Sequence, residues 1–301
     1  MNIEKKHSPV YPHLMMRAKK KKSTEELLEF GIINIDKSSG PTSFNVSEFV
    51  KKKLGLKKTS HFGTLDPKVT GVLPVALSRA CKLSGYFLGE DKEYVGIMSV
   101  HEDIELKKIE KAVKEKFLGK IKQTPPLKSR VKREERERTI HEFELLEKQE
   151  KNILFRVTCE GGTYIRKLLT DLGDYMKIGA HMLELRRVRA GIFTENDKSY
   201  PAVKLHDFEK AVDEYKAGND KKLRKIIIPA EVVEKLHSAL EINDKDLKHV
   251  LVGKPLSKSD LVKVPKYKKE EIFSAFHKER FIGMYRILDE GDIFAKAEFV
   301  M

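Results

Sequence analysis

The chain has 301 residues, 40% of them hydrophobic, enough for a large domain with its own core and a smaller companion. Its 60 Lys and Arg against 46 Asp and Glu leave a formal net charge of +14, which favours a polyanionic partner. Two cysteines, Cys81 and Cys159, without a Cys-x-x-Cys spacing give no support to a zinc ribbon or a disulfide framework and fit a reducing, cytoplasmic setting; no apolar run is long enough to span a membrane, and no apolar signal core is seen at the start.

Residues 1–29 read as a polar, basic extension. Within it Lys19, Lys20, Lys21 and Lys22 form a block that is either solvated or placed to touch phosphates. Residues 30–36 are β-branched enough to predict a strand. The turn-rich link K-S-S-G-P-T-S at 37–43 ends on Thr42 or Ser43, either of which can cap the helix predicted from Phe44, Val46, Phe49, Val50 and Leu54, with Gly55 as its stop. Lys51, Lys52, Lys53, Lys57 and Lys58 crowd the end of that helix. They are either cations complementing a helix C-terminus or a rim for nucleic-acid phosphates.

Next comes S-H-F-G-T-L-D-P-K-V-T-G, residues 60–71. Gly63 and Gly71 permit tight backbone at its ends, Pro67 fixes its own φ and pushes Asp66 towards extended geometry, and Thr64 and Thr70 can tie the loop to itself. A carboxylate on a stiff loop suits nucleophilic or acid–base chemistry, although an ordinary Asp-Pro turn carries the same dipeptide. The apolar run 72–77 reads as a buried element anchoring the loop. A helix at 79–88, a strand at 92–98 containing K-E-Y and a helix at 104–118 are predicted next. An extended passage at 120–126 then leads to dense charge of both signs at 128–138.

Strands at 140–146 and 153–159 run into C-E-G-G-T-Y-I-R at 159–166, a Gly-Gly turn with Thr163 as N-cap of a helix that puts Tyr164, Leu168 and Leu172 on one face. The segment G-A-H-M-L-E-L-R-R-V-R-A-G-I-F at 179–193 and a helix at 203–217 complete the larger domain. Beyond I-I-I-P at 226–229, short apolar runs alternate with turns, the pattern of a small β domain.

Taken together, K-S-S-G-P-T-S, H-F-G-T-L-D-P, K-E-Y, C-E-G-G-T-Y-I-R and L-R-R-V-R-A-G-I-F resemble, in family order, the TruB and dyskerin-type pseudouridine synthases. Ser38 stands where the family's first motif has proline, and Phe62 where a small or polar residue is common. The resemblance implies an α+β fold. A catalytic domain around a mixed, largely antiparallel sheet would span residues 30–225, and a small C-terminal β-barrel PUA domain that grips RNA would span 226–301. It implies isomerisation of uridine to pseudouridine in RNA, with no metal or organic cofactor. Asp66 is the implied catalytic residue, and the resemblance leaves open whether it attacks C1′ or C6 or abstracts a ribose proton. Tyr94 would stack on the extruded uracil, and Arg166 would pair with Asp66, favouring the carboxylate and fixing its orientation. Tyr164 and Leu185 would pack the pocket, and His61 would lie near the displaced nucleotide. Arg186, Arg187 and Arg189 either support their strand or contact RNA phosphates, and the motif at 37–43 lies under the catalytic loop in a structural role. A mobile RNA-gripping loop is implied near 128–138.

The segments following Asp66, P-P-L-K-S at 125–129 and G-A-H-M-L-E-L-R-R at 179–187 resemble the archaeal dyskerin branch. Its implied partners are a box H/ACA guide RNA, a target rRNA or tRNA, and Nop-type, Gar-type and kink-turn-binding ribosomal-type proteins. The alternatives are a stand-alone tRNA pseudouridine-55 synthase and a non-catalytic RNA-binding ribosome-assembly factor. A pure binder would have no need of Asp66 beside Arg166.

Overall fold

The β-branched run after residue 30 forms strand β1, Gly31–Lys37, almost wholly buried, in the computed structural model, which describes residue 19, residues 21–125 and residues 132–301. The expectations for residues 1–18, for Lys20 and for residues 126–131 of the charge-rich loop lie outside the described residues. The chain divides into two compact units. One holds residues 33–76 and 84–226, and the other holds the described residues up to 32, Leu77–Leu83 and Ile227–Met301.

In the larger unit the strands after β1 are β2 (Thr59–His61), β3 (Thr70–Leu77), β4 (Lys92–Val100), β5 (Gly119–Gln123), β6 (Arg136–Gln149), β7 (Asn152–Cys159), β8 (Ala180–Ala190), β9 (Phe193–Thr194) and β10 (Val203–Lys204). Their sheet runs β10-β1-β3-β8-β4-β7-β6-β5. The β5 to β8 portion, with β4, pairs antiparallel, while β1 with β10 and β3 with β8 pair parallel, so the sheet is mixed. Strand β4 shows the two-residue period of a half-buried strand and turns Lys92, Tyr94 and Met98 inward. Helix α1, Ser43–Leu54, starts at the predicted place. The Thr42 hydroxyl accepts from the Asn45 amide at 3.0 Å, and Gly55 ends the helix in the left-handed region at φ 67°.

Three predicted elements differ in detail. The helix expected at 79–88 is a 3₁₀ segment, Ser78–Leu83, followed by a short helix, Ser84–Leu88. The helix at 104–118 is α-helical only over Leu106–Ala112 and continues as a π-turn over Val113–Phe117. The charge-rich stretch is cut at Arg136, where β6 begins and pairs antiparallel with β5, Arg136 opposite Gln123 and Arg138 opposite Ile121. Phe62, the departure from the family pattern, is 1% exposed and stacks on Phe87 with ring centroids 4.5 Å apart. It is an inward anchor of the 60–71 segment.

In the smaller unit, β12 (Ala239–Glu241), β13 (Ile272–His277), β14 (Arg280–Glu290) and β15 (Ile293–Val300) form a four-stranded sheet in that order around Phe273, Ile282, Tyr285 and Phe294, and β11 (Ile227–Pro229) precedes them in the chain. The β12–β13 pair is parallel and the others antiparallel. The N-terminal residues belong here: Phe30 stacks on Phe281 at 5.1 Å, Lys21 pairs with Glu279 at 2.5 Å, and Lys22 pairs with buried Glu231. Part of the basic block is thus engaged by carboxylates.

Glu234, in the 3₁₀ segment Ala230–Lys235, is buried beside Glu231, and burial and then that second carboxylate push its pKa up to about 7 from 4.5. A carboxyl with a raised folded-state pKa favours folding below its unfolded pKa and loses that contribution as pH rises through the folded value. Stability should therefore fall between pH 4.5 and about 7. Glu234→Gln should flatten that decline in denaturant titrations across the window, and an unchanged slope would assign the decline to other groups.

Candidate active site

The segment around Asp66 is fixed from below by side chains that spend their polar atoms on its backbone. Lys37, fully buried at the end of β1, donates to the carbonyls of Ser38 at 3.0 Å, Pro67 at 3.0 Å and Val69 at 2.7 Å. Burial lowers the pKa of its ammonium. The Ser43 hydroxyl, in the first turn of α1, accepts from the Leu65 amide at 2.8 Å and donates to the Leu65 carbonyl at 3.1 Å. The Gly40 amide donates to the Pro67 carbonyl at 3.0 Å, and within the turn the Val69 amide donates to the Asp66 carbonyl at 3.0 Å. Hydrogen bonds of this kind contribute about 0.5–1.5 kcal/mol each, and those from a charged group about 1.5–3. Lys37, Gly40 and Ser43 belong to the motif read as structural, and this is the structure they provide.

Above this floor the Asp66 carboxylate pairs with the Arg166 guanidinium, the two side chains being 50% and 60% exposed. An ion pair so open to water contributes only about 0–1 kcal/mol to stability. The buried anchors, not this pair, hold the loop, and the pair sets the direction of the carboxylate.

Arg166 is the second residue of α2, Ile165–Met176, which buries Ile165, Leu168, Leu169 and Leu172. The N-cap is Tyr164 and not Thr163 as predicted. The Thr163 hydroxyl instead donates back to the Glu160 carbonyl at 2.7 Å, which tightens the Gly161-Gly162 turn. The helix start is fixed by Gln123, 2% exposed, whose side-chain carbonyl accepts from the Tyr164 amide at 3.0 Å while its NH₂ donates to the Tyr164 carbonyl at 3.2 Å. Nothing local in the sequence marks Gln123, because its partner lies 41 residues away. Tyr164 also lines a cavity of about 80 Å³ with Gln123, Pro125, Arg136, Arg138 and Gly162.

Tyr94 and Leu185 are buried, at 7% and 6% exposure. Tyr94 lies opposite Arg187 on β8, and Leu185 opposite Gly96 on β4, where a Cβ at Gly96 would stand 2.9 Å from the Leu185 side chain. Burial raises the Tyr94 pKa, against the pull of the Arg187 charge. His61 is half-buried with a buried Nδ1, and burial, then the Arg187 charge, lowers its pKa.

The two readings left open for the β8 arginines divide by residue: buried Arg187 supports its strand, while Arg186 and Arg189 are part-exposed and paired with carboxylates. Arg187 is 1% exposed and is bonded to backbone carbonyls, so it is not presented to RNA phosphates. Arg186 pairs with Asp36 at 2.9 Å and Glu195 at 2.8 Å. Arg189 pairs with Glu93 at 3.3 Å. The lysine rim divides in the same way. Lys51 pairs with Glu48 at 2.5 Å, and Lys53 with Glu209 while lying over the Phe49 ring. Lys52, Lys57 and Lys58 are exposed, and among the described residues no carboxylate ion pair holds them. Lys52 follows the loop anchor Ser43 by nine helical residues, about 14 Å along the helix axis. Joint replacement of Lys52, Lys57 and Lys58 by Ala should lower the log–log salt slope of RNA binding by about 2. The same change at Lys51 and Lys53 should move it less. Equal effects of the two sets would remove the distinction.

The geometry therefore brings an exposed carboxylate on a stiffened loop into contact with a guanidinium at a helix start, with a buried tyrosine on β4 opposite the loop-bonding Arg187. Two family models match the chain: the TruB family pseudouridylate synthase N-terminal domain over residues 51–165, and the tRNA pseudouridylate synthase B C-terminal domain over residues 166–234. The chain belongs to the TruB family of pseudouridine synthases, isomerases that act on RNA. It is 44% identical over 243 residues to a probable tRNA pseudouridine synthase B of Methanopyrus kandleri, covering 80% of this chain and 70% of the relative. Among solved structures it is similar to a Cbf5-Nop10-Gar1 complex, with a TM-score of 0.85 and 36% identity over 94% of this chain and 88% of that one. It is also similar to an H/ACA RNP bound to a substrate RNA containing 2′-deoxyuridine, with a TM-score of 0.83 and 34% identity over 94% of this chain and 88% of that one.

Proposed function

We propose that this chain is the catalytic subunit of an archaeal-type box H/ACA particle, converting uridine to pseudouridine in rRNA or tRNA at positions chosen by a guide RNA. The observation that carries the reading is the Asp66–Arg166 pair, an exposed carboxylate oriented by a guanidinium on a loop anchored through its backbone. In this reading Asp66 is the catalytic group, Tyr94 takes the extruded base against its ring, and Leu185, Tyr164 and His61 shape the space around it. Tyr94 is now almost covered, so the base must displace what lies over the ring. The smaller unit acts as a PUA-type module that grips RNA, and the protein works in the cytoplasm, consistent with the free cysteines Cys81 and Cys159.

Likeness over 94% of the chain to Cbf5 in complex with Nop10 and Gar1 supports partners of those two types, and likeness to an H/ACA RNP supports the RNA; a kink-turn-binding protein completes the proposed particle. The name carried by the Methanopyrus relative favours a second reading, guide-free action on tRNA. The deciding experiment incubates the purified chain with transcribed tRNA and rRNA fragments, with and without guide RNA and the partner proteins, and maps pseudouridine chemically. Guide-dependent product supports the particle, and product in tRNA alone supports the stand-alone enzyme. RNA binding without product in any mixture would leave the assembly-factor reading.

A further inference from the structure

We propose that Arg187 is a positioning residue that couples Tyr94 to the Asp66 loop, so that base-binding ring and carboxylate are held in register by one buried guanidinium. The inference rests on the functional reading above.

The topology puts Arg187 between the two. On β8 it lies opposite Gly71 of β3 on one side and Tyr94 of β4 on the other. Its Nε donates to the Val72 carbonyl at 2.8 Å and its Nη2 to the Gly63 carbonyl at 3.0 Å. Gly63 and Val72 flank residues 64–71, so the planar fork of one side chain closes the loop at both ends. Tyr94 is the cross-strand neighbour of Arg187 and is buried with it; burial raises the pKa of the phenol, and the guanidinium charge pulls it down. Gly63 leaves the room this needs: a Cβ there would sit 3.2 Å from Nη1, and φ is +101°.

This arrangement is costly if stability were its only use. Arg187 is among the largest fully buried side chains. Its contacts at the loop are neutral carbonyls, not carboxylates. A second buried cation, Lys92, lies close by, with its ammonium on the carbonyls of Phe87, Leu88 and Glu90. Burial, then the Arg187 charge, lower the Lys92 pKa to about 8. Well-packed apolar residues commonly match or exceed buried charges in stability. What an apolar side chain cannot do is bond the carbonyls at both ends of the loop while facing a phenol on the next strand with a charge, and a misplacement of about 1 Å in a reacting constellation can cost about 10²-fold in rate.

The test compares Arg187→Lys, which keeps the charge but not the fork, with Tyr94→Phe, which removes only the hydroxyl and leaves the buried charge alone. Single-turnover pseudouridine formation should fall at least tenfold in Arg187→Lys while RNA affinity stays within about threefold. In the Tyr94→Phe background the same change should cost at least fivefold less, since the coupling is already cut; fully multiplicative losses would mean a merely structural arginine and overturn the proposal. Hydrogen exchange provides a readout independent of activity. Amides of residues 64–71 should exchange at least threefold faster in both variants, with those of α2 and β14 unchanged. Unchanged loop exchange in Tyr94→Phe overturns the coupling even if Arg187→Lys folds poorly. A parent protein that forms no pseudouridine defeats the functional reading instead, and the exchange arm still decides the role of Arg187.

Discussion

Asp66→Asn should abolish pseudouridine formation while leaving RNA affinity within about twofold of the parent. Asn is nearly the same size, and the Asp66 side chain is not one of the loop's anchors: those are Lys37, Gly40, Ser43 and Arg187, all acting on backbone atoms. The loop should therefore keep its shape. What is lost is the anionic oxygen and its pairing with Arg166, and loss of a reacting group typically lowers the rate by roughly four orders of magnitude or more. Single-turnover assays with mapped product, beside filter binding of the same RNA, separate the two effects. Activity within tenfold of the parent would refute the catalytic role, and a parallel collapse of binding would make Asp66 a contact residue.

Gly71→Ala should be strongly destabilising to the larger unit. A Cβ at this position would stand 2.2 Å from the Arg187 carbonyl oxygen and 3.0 Å from its carbonyl carbon and amide nitrogen, all backbone atoms of a central strand. The φ of +100° adds a conformational penalty for any L side chain. Strained backbone and overpacking each typically cost about 1–3 kcal/mol, so a loss of about 2–6 kcal/mol is expected from denaturant midpoints. Gly40→Ala is the control, since no atom lies within 4 Å of a Cβ there, although its φ of +113° is also positive. A similar cost at both glycines would mean that dihedral strain, and not the approach of β8, makes Gly71 necessary.

Some features were legible because their physics is local. Thr42 capping α1, Gly55 ending it, the alternation of β4 and the apolar burial of β3 all follow from residue types at short spacing. Others failed for the same reason. Thr163 has the right chemistry for an N-cap, but its hydroxyl found the Glu160 carbonyl first, and a distant glutamine took over the helix start. The lysine rim reads as one cluster in the chain, yet its members differ because Glu48 and Glu209 capture two of them.

By itself the sequence determined the family, the order of the motifs and the identity of Asp66, Tyr94 and Arg166 as residues to watch, since motif spacing is a property of the chain. The pairing of Asp66 with Arg166 followed from the resemblance, but the means of holding them did not. Gln123 and Arg187 act on backbone atoms 41 and over 100 residues away, and only the folded sheet brings those atoms within reach. A backbone carbonyl is the same in every residue, so no residue pattern records which side chain will claim it; that is decided when the strands align.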